Sequence, residues 1–283
     1  MYKYLSPAKL NLFLRITNQR QDGYHNLQSI VIPINLHDTI TIELRPDNKI
    51  LRKINIDVPF EEDLAIKAVI AMQKFSGIQS GLEIDTQKNI PIGAGLGGGS
   101  SNAASVLLAL NQLWEINLST DALCKIALTL GADVPFFIHQ NSAWVEGIGE
   151  KITPIKLDKY FFIIVKPSNY ISTKSIFTDP NLEKQSIILD QDKYIQTIHS
   201  QSIIDNIKMY MQLNNCMEQV VLQTQPNINE WLTLQKYNNL NFRMTGSGSC
   251  FFCMFSSKEE RDISIEKVIL PDGWNYYLCE SIE

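Results

Sequence analysis

The apolar positions of the chain follow two periods. In residues 8–16 they alternate: Leu10, Leu12, Leu14 and Ile16 lie on one face of a predicted strand, and Lys9, Asn11, Phe13 and Arg15 on the other. Lys9 and Asn11 therefore share a face. Residues 39–44 alternate in the same way. Residues 29–36 read as an apolar strand whose internal Pro33 predicts an edge or a bulge. Between the first two strands, residues 18–23 end in Asp22-Gly23, a hairpin signal, so Tyr24 and His25 stand directly after a turn. Further strands are predicted at 81–85, 161–165 and 250–255.

Helical spacing takes over elsewhere. Asp63 is placed to cap a helix running to about Phe75, with Gly77 ending it. Ala103, Leu107, Leu110 and Trp114 recur at intervals of three and four, which predicts a helix packed on a core. Ser119 or Thr120 starts another, with Leu123, Ile126, Ala127 and Leu130 as its buried stripe and Gly131 as its stop. Residues 181–202 are polar and helix-like, and 216–222 and 229–235 read as parts of further helices. The mixture predicts an α+β fold. A length of 283 residues allows two domains. The segment around Ile152 to Asp158 is the expected boundary, dividing the chain into residues 1–158 and 159–283.

Composition narrows the function. A net charge of −5 speaks against non-specific nucleic-acid binding, and it requires any polyphosphate to be held by local features. No apolar run reaches membrane-spanning length, and the first residues lack a signal-peptide core, so a cytoplasmic location is expected. Five cysteines form no disulfide framework. Cys250 and Cys253 have CxxC spacing but lie in a strand-like run, where positions three apart face opposite ways, and they read as buried thiols. The histidines form no metal-spaced pair.

The most informative stretch is residues 91–101. Five glycines fall between Gly93 and Gly99, two serines follow, and then the apolar helix begins. Ordering so much glycine is entropically unfavourable, and close approach of backbone N–H groups to a phosphate chain would offset it. The helix adds free N–H groups and the positive end of its dipole, with Ser100 or Ser101 as the expected N-cap. Gly93-x-Gly95-x-x-Gly98 matches a dinucleotide fingerprint, yet Asp121, at the spacing of the ribose acid, falls at a helix start. A Walker loop is excluded because Gly99, not lysine, follows Gly98.

Two more patches carry chemistry. Asp133 lies between Gly131 and the apolar Pro135-Phe136-Phe137. Pro135 is expected to hold Val134 extended, and a half-buried Asp133 carboxylate would need a partner, either a lysine such as Lys9 or nearby backbone N–H groups. Thr245-Gly246-Ser247-Gly248-Ser249 is either a tight turn into a buried strand or a second N–H cradle for phosphate.

Taken in order, residues 7–11, 91–104 and 245–249 resemble the three motifs of the GHMP kinases, the family of galactokinase, homoserine, mevalonate and phosphomevalonate kinases. The resemblance touches both ends and the middle of the chain. It implies a two-domain α+β fold with the active site in the cleft between an N-terminal ATP-binding domain and a C-terminal domain, ATP as phosphoryl donor and Mg2+ as its assisting ion. Lys9 and Asp133 match the catalytic pair. Pro91, Ile92, Gly93, Ala94, Gly95, Leu96, Gly97, Gly98, Gly99, Ser100 and Ser101 match the phosphate-binding segment, and Lys88 a nucleotide contact. Residues 22–27 and 131–137 resemble those members whose acceptor alcohol carries a diphosphocytidyl group. On that resemblance Tyr24, His25 and Phe177 would grip cytosine, and Asn11 and Thr173 would touch substrate. Asp63 departs from the pattern, since relatives often have asparagine there, near the adenine. A homoserine- or mevalonate-type kinase is the neighbouring alternative, and a nucleotide-binding regulator without catalysis another. Metal ligands and oligomeric state are not specified by the sequence.

Overall fold

The structure, a computed structural model, describes residues 1–54, 58–169, 171–185 and 187–282. The first half runs β1 (Tyr2–Gln19), β2 (His25–Arg45), β3 (Ile50–Arg52), α1 (Leu64–Ser76), β4 (Gly81–Gln87), α2 (Gly98–Leu113), α3 (Thr120–Leu130) and α4 (Val134–His139). Then come β5 (Ala143–Gly147), β6 (Lys151–Pro154), β7 (Phe161–Lys166), α5 (Thr173–Phe177), α6 (Gln191–Ser200) and α7 (Ile203–Leu213). The chain closes with α8 (Glu218–Thr224), α9 (Pro226–Tyr237), β8 (Arg243–Met244), β9 (Phe251–Phe255), α10 (Lys258–Ser264) and β10 (Asn275–Glu280).

Two compact units result, each discontinuous in sequence. One comprises residues 1–8, 36–92 and 97–141; the other comprises 9–35, 93–96 and 142–283. In the first unit the C-terminal part of β2 pairs antiparallel with β4, from Thr39 opposite Gln87 to Arg45 opposite Gly81, and β3 adds in parallel to β4. α1 and α2 pack on each other, and Ala65, Ala68, Val69 and Met72 of α1 and Ala103, Val106 and Leu107 of α2 are buried.

In the second unit the N-terminal part of β2 pairs with β5, which pairs with β6. A separate four-stranded sheet has the order β10-β7-β9-β8. β7 and β9 are central in it and read Phe-Phe-Ile-Ile-Val and Phe-Phe-Cys-Met-Phe, the continuous apolar runs of strands buried on both faces. Trp231, Phe242, Phe251 and Trp274 fill the core beside it.

The strand and helix expectations for α1, α2, α3, β7 and β9 hold, with differences that have physical reasons. Pro33 lies inside β2, not on an edge. It falls in the stretch 32–38, between the residues paired to β5 and those paired to β4, where its missing N–H removes none of those ladder bonds. Of the helix-like stretch 181–202, residues 191–200 are helical, starting where Asp190 accepts a hydrogen bond from the Lys193 N–H. The helix after the glycine loop starts earlier than expected: its N-cap is Gly97 in a left-handed conformation (φ 72°), so Ser100 and Ser101 lie inside the first turn. Among the described residues no helix is long and apolar enough to cross a membrane.

Candidate active site

The glycine loop is not bare throughout. Gly93, Gly95 and Gly97 take positive φ values of 65°, 75° and 72°, and between them Ala94 and Leu96 are 2% and 1% exposed. Glycines therefore turn the backbone while two apolar side chains anchor it. The anchors also carry backbone bonds: the Cys250 N–H donates to the Ala94 carbonyl (3.2 Å) and the Lys9 N–H to the Leu96 carbonyl (3.0 Å). In α2 the Ser101 hydroxyl is buried with no hydrogen-bond partner. The cap of α2 is supplied by glycine conformation instead of the expected serine side chain.

The second glycine patch closes against the first. A methyl group on Gly95 would lie 2.4 Å from the Thr245 carbonyl oxygen and 3.0 Å from that of Gly248. One on Gly246 would lie 2.8 Å from the Gly95 carbonyl oxygen and 3.3 Å from Lys9 Nζ. Only residues without a Cβ allow backbones to approach this closely. The turn is thus an entry into a buried strand, and it packs on the first loop.

β1 brings in the polar pair. Lys9 is 4% exposed, and its Nζ donates to Asn11 Oδ1 at 2.5 Å. Asn11 Nδ2 donates to Ser29 Oγ (2.8 Å), and Ser29 Oγ in turn donates to the Phe13 carbonyl (2.6 Å). The Asn11 N–H donates to Thr245 Oγ1 (2.8 Å). The shared strand face was legible; Ser29 and Thr245, which orient Asn11, were not.

At the start of α5, Thr173 Oγ1 is 2.6 Å from Ser247 Oγ. At its end, Phe177 stacks on His25, with ring centroids 5.3 Å apart and planes at 29°. Tyr24 is 60% exposed beside them. The aromatic pair formed here is therefore His25 with Phe177, and Tyr24 offers an open face. Burial, and then the nearby positive charge of Lys184, lowers the His25 pKa below its ordinary value, so the imidazole is neutral at physiological pH.

Asp133 belongs to the other unit, as do Lys88 and Asp63. Asp133 is exposed, not half-buried, and it stands at the N-cap of α4 without a side-chain capping bond. Val134 opens that helix instead of being held extended, because Pro135 occupies the first turn, where a missing N–H costs nothing. Lys88 Nζ pairs with Asp38, a carboxylate fully buried at the side chain, which also accepts from the Asn89 and Ile90 N–H groups at 2.8 Å each. A methyl on Gly98 would lie 3.4 Å from Lys88 Nζ, which places that ammonium at the first turn of α2. Asp63 accepts from the Ala65 N–H (2.9 Å) and from Arg52 Nη1 (3.3 Å), so one oxygen caps α1 and the other pairs with Arg52 of β3. The carboxylate of Asp38 was missed; an acidic residue inside a strand-like apolar run was its one signal.

Comparisons with known proteins give the family. The model of the GHMP kinases N terminal domain matches residues 63–141, and that of the GHMP kinases C terminal region matches 202–269. The chain belongs to the GHMP kinase family. A 4-diphosphocytidyl-2-C-methyl-D-erythritol kinase of Paracidovorax citrulli (strain AAC00-1) is 41% identical over 98% of this chain and 93% of its own length. Another, of Burkholderia ambifaria (strain MC40-6), is 40% identical over the same shares. A solved 4-(cytidine 5'-diphospho)-2C-methyl-D-erythritol kinase superposes with a TM-score of 0.81 at 27% identity, covering 99% of both chains. A homoserine kinase from Cytophaga hutchinsonii shares the fold, with a TM-score of 0.73 at 16% identity over 99% of this chain and 94% of its own.

Proposed function

We propose that the chain transfers the γ-phosphate of ATP to the 2-hydroxyl of 4-diphosphocytidyl-2-C-methyl-D-erythritol, in the non-mevalonate route to isoprenoid precursors. The observation that carries this reading is the meeting of two glycine turns with Lys9 and Asn11 in one unit whose α5 also brings Phe177 onto His25. The names of the full-length relatives support it. Homoserine and mevalonate have no base to grip, and an aromatic pair has little use on an aliphatic acceptor.

Phosphoryl transfer demands placement and stabilisation of charge spread over the transferred group. In this reading the loop 93–101 and the start of α2 hold the phosphates through backbone N–H groups, with Lys88 beside them. Lys9 stabilises the negative charge developing on the acceptor oxygen, and Asp133 takes the hydroxyl proton. Neutral His25 can both donate to and accept from the edge of cytosine, while Phe177 and the open ring of Tyr24 offer stacking faces. Asn11 and Thr173 contact the substrate. Mg2+ belongs to the reading as an ion bound largely by phosphate oxygens, and it neutralises their charge when present. Such an ion needs few protein ligands, which is compatible with the absence of a metal-holding group of three or more side chains among the described residues. The division into an ATP-binding part, 1–158, and a C-terminal part, 159–283, is carried with it; the two family models fall on either side of that boundary. A cytoplasmic location goes with the soluble substrates.

The test is transfer of labelled phosphate from ATP to the diphosphocytidyl alcohol, with homoserine and mevalonate as competing acceptors. Turnover of the cytidyl substrate alone is expected, and preference for either aliphatic alcohol would sink the assignment. Asp133→Ala is expected to lower kcat by about 1,000-fold while the KM for ATP stays within about threefold. Near-normal turnover in that variant would remove Asp133 from the chemistry.

A further inference from the structure

The turn 245–248 carries no large side chain of its own, and something outside it must set its position. The structure assigns that task to Asn215, and we propose that Asn215 is a positioning residue for phosphoryl transfer. The inference rests on the kinase reading above.

Asn215 is 4% exposed and its carboxamide is fully used. Nδ2 donates to the Met244 carbonyl (3.0 Å) and to the Gly246 carbonyl (2.8 Å), while Oδ1 accepts from the Met217 N–H (3.0 Å). The two carbonyls flank Thr245, the residue whose hydroxyl receives the Asn11 N–H and whose own carbonyl faces Gly95. The same segment is fastened to β1. The Leu14 N–H donates to the Asn214 carbonyl (3.1 Å), and the Cys216 N–H to the Leu14 carbonyl (2.9 Å). Leu14 lies three residues beyond Asn11 on the strand that carries Lys9. One amide thus fixes the register between the strand bearing the ammonium and the turn that packs on the phosphate loop. Gly246, at φ 56°, has no Cβ to hold that register by itself. Glu218 adds to the clamp from below, accepting from the Met244 N–H at 2.7 Å and from Arg243 at 3.3 Å.

The role is distinguishable from plain support of the fold. Asn215→Asp keeps size and the acceptor for Met217 but turns an oxygen toward two carbonyl oxygens. Its kcat is expected to fall about 10- to 100-fold, the scale of a small misplacement near reacting groups. The affinity for CDP as a competitor, read by His25 and Phe177, is expected to change less than about threefold. Asn215→Ser, which loses both donors without adding repulsion, should show the same split and guards against a variant that does not fold. A wild-type kcat in either soluble variant, or equal losses in kcat and CDP affinity, would overturn the proposal. Hydrogen exchange at the Gly246, Ser247 and Gly248 amides separates this inference from the functional one. If the wild-type chain transfers no phosphate to the cytidyl alcohol, the functional reading fails. Exchange about tenfold faster in Asn215→Ser than in wild type would still support the clamp, and unchanged exchange would refute it.

Discussion

The two glycine turns meet, but they are held in different ways. In the loop 93–101 much of the restraint is local, beside the bonds it accepts from Lys9 and Cys250. Three positive-φ glycines set the path, Ala94 and Leu96 bury themselves between them, and α2 begins at once. In the turn 245–248 the restraint is remote: Asn215 and Glu218 reach it from the region of α8, and Thr245 ties it to Asn11 on β1. A loop built on positive-φ glycines needs freedom from Cβ atoms, and it can obtain part of its rigidity from its neighbours in sequence. A turn that serves as a wall can be rigid only through contacts from elsewhere. Both solutions keep side chains away from the place where the two backbones face each other.

Gly95 is where the two turns touch, so the largest effect is expected there. In Gly95→Ala the new methyl would sit 2.4 Å from the Thr245 carbonyl oxygen, at a φ of 75° that disfavours any Cβ. Backbone must move on both sides, and strain of about 1–3 kcal/mol follows from the conformation alone. Phosphoryl transfer is expected to fall at least about 100-fold, with a lowered Tm. Steady-state kinetics with a thermal melt decide it; wild-type turnover would mean that the two turns act independently.

Gly99 belongs to the first loop only, and its replacement isolates that loop. It is helical in α2, and a methyl there would make an ordinary 3.7 Å contact with Leu64 Cδ1. Gly99→Ala is therefore expected to stabilise the protein by about 0.5 kcal/mol through helix propensity, a rise in Tm of about 1–2 °C. Turnover should stay within about threefold, since an N–H group at the helix start points along the axis and not toward its own Cβ. A loss as large as that of Gly95→Ala would show that the whole glycine run, and not its positive-φ part, must remain bare.

How much of this was legible follows from the same contrast. Alternation along residues 8–16 put Lys9 and Asn11 on one face, and the glycines of 93–99 announced a tight turn leading into a helix, because both signals lie within a few neighbouring residues. Asn215, Asp38, Ser29 and Thr245 were silent because each acts on a distant partner; the bond from the Asn11 N–H to Thr245 spans 234 positions. No local period records such a pairing. Ser100 and Ser101 misled for a related reason: serine is a good cap in general, but Gly97 in the left-handed region already ends the loop one turn earlier. Asp133 misled in the opposite direction. Its apolar neighbours Phe136 and Phe137 are buried in α4, yet the carboxylate itself is exposed at the helix start.

Cys250 follows the second turn and bonds to both, and it offers the gentlest probe. Its N–H bonds to Ala94 and its carbonyl to the Thr245 N–H, so it closes the turn on the strand side. The thiol is buried, and burial pushes its pKa up to about 12 from an ordinary value of 9.0. A thiol that stays protonated is a poor nucleophile. Iodoacetamide at about pH 8 is expected to leave Cys250 unlabelled in the native protein, with labelling only after unfolding; mass spectrometry of the peptide reads the difference. The sign of the linked stability is fixed by the same shift. Between the unfolded and folded values the native state holds the extra proton, so the thiol's contribution is complete below pH 9.0 and is lost as pH rises toward about 12. Rapid native labelling would mean that the second turn opens to solvent on its own. Its remote clamps would then be weaker than the local ones, and the difference between the two turns would lie in their stability as well as in the origin of their restraint.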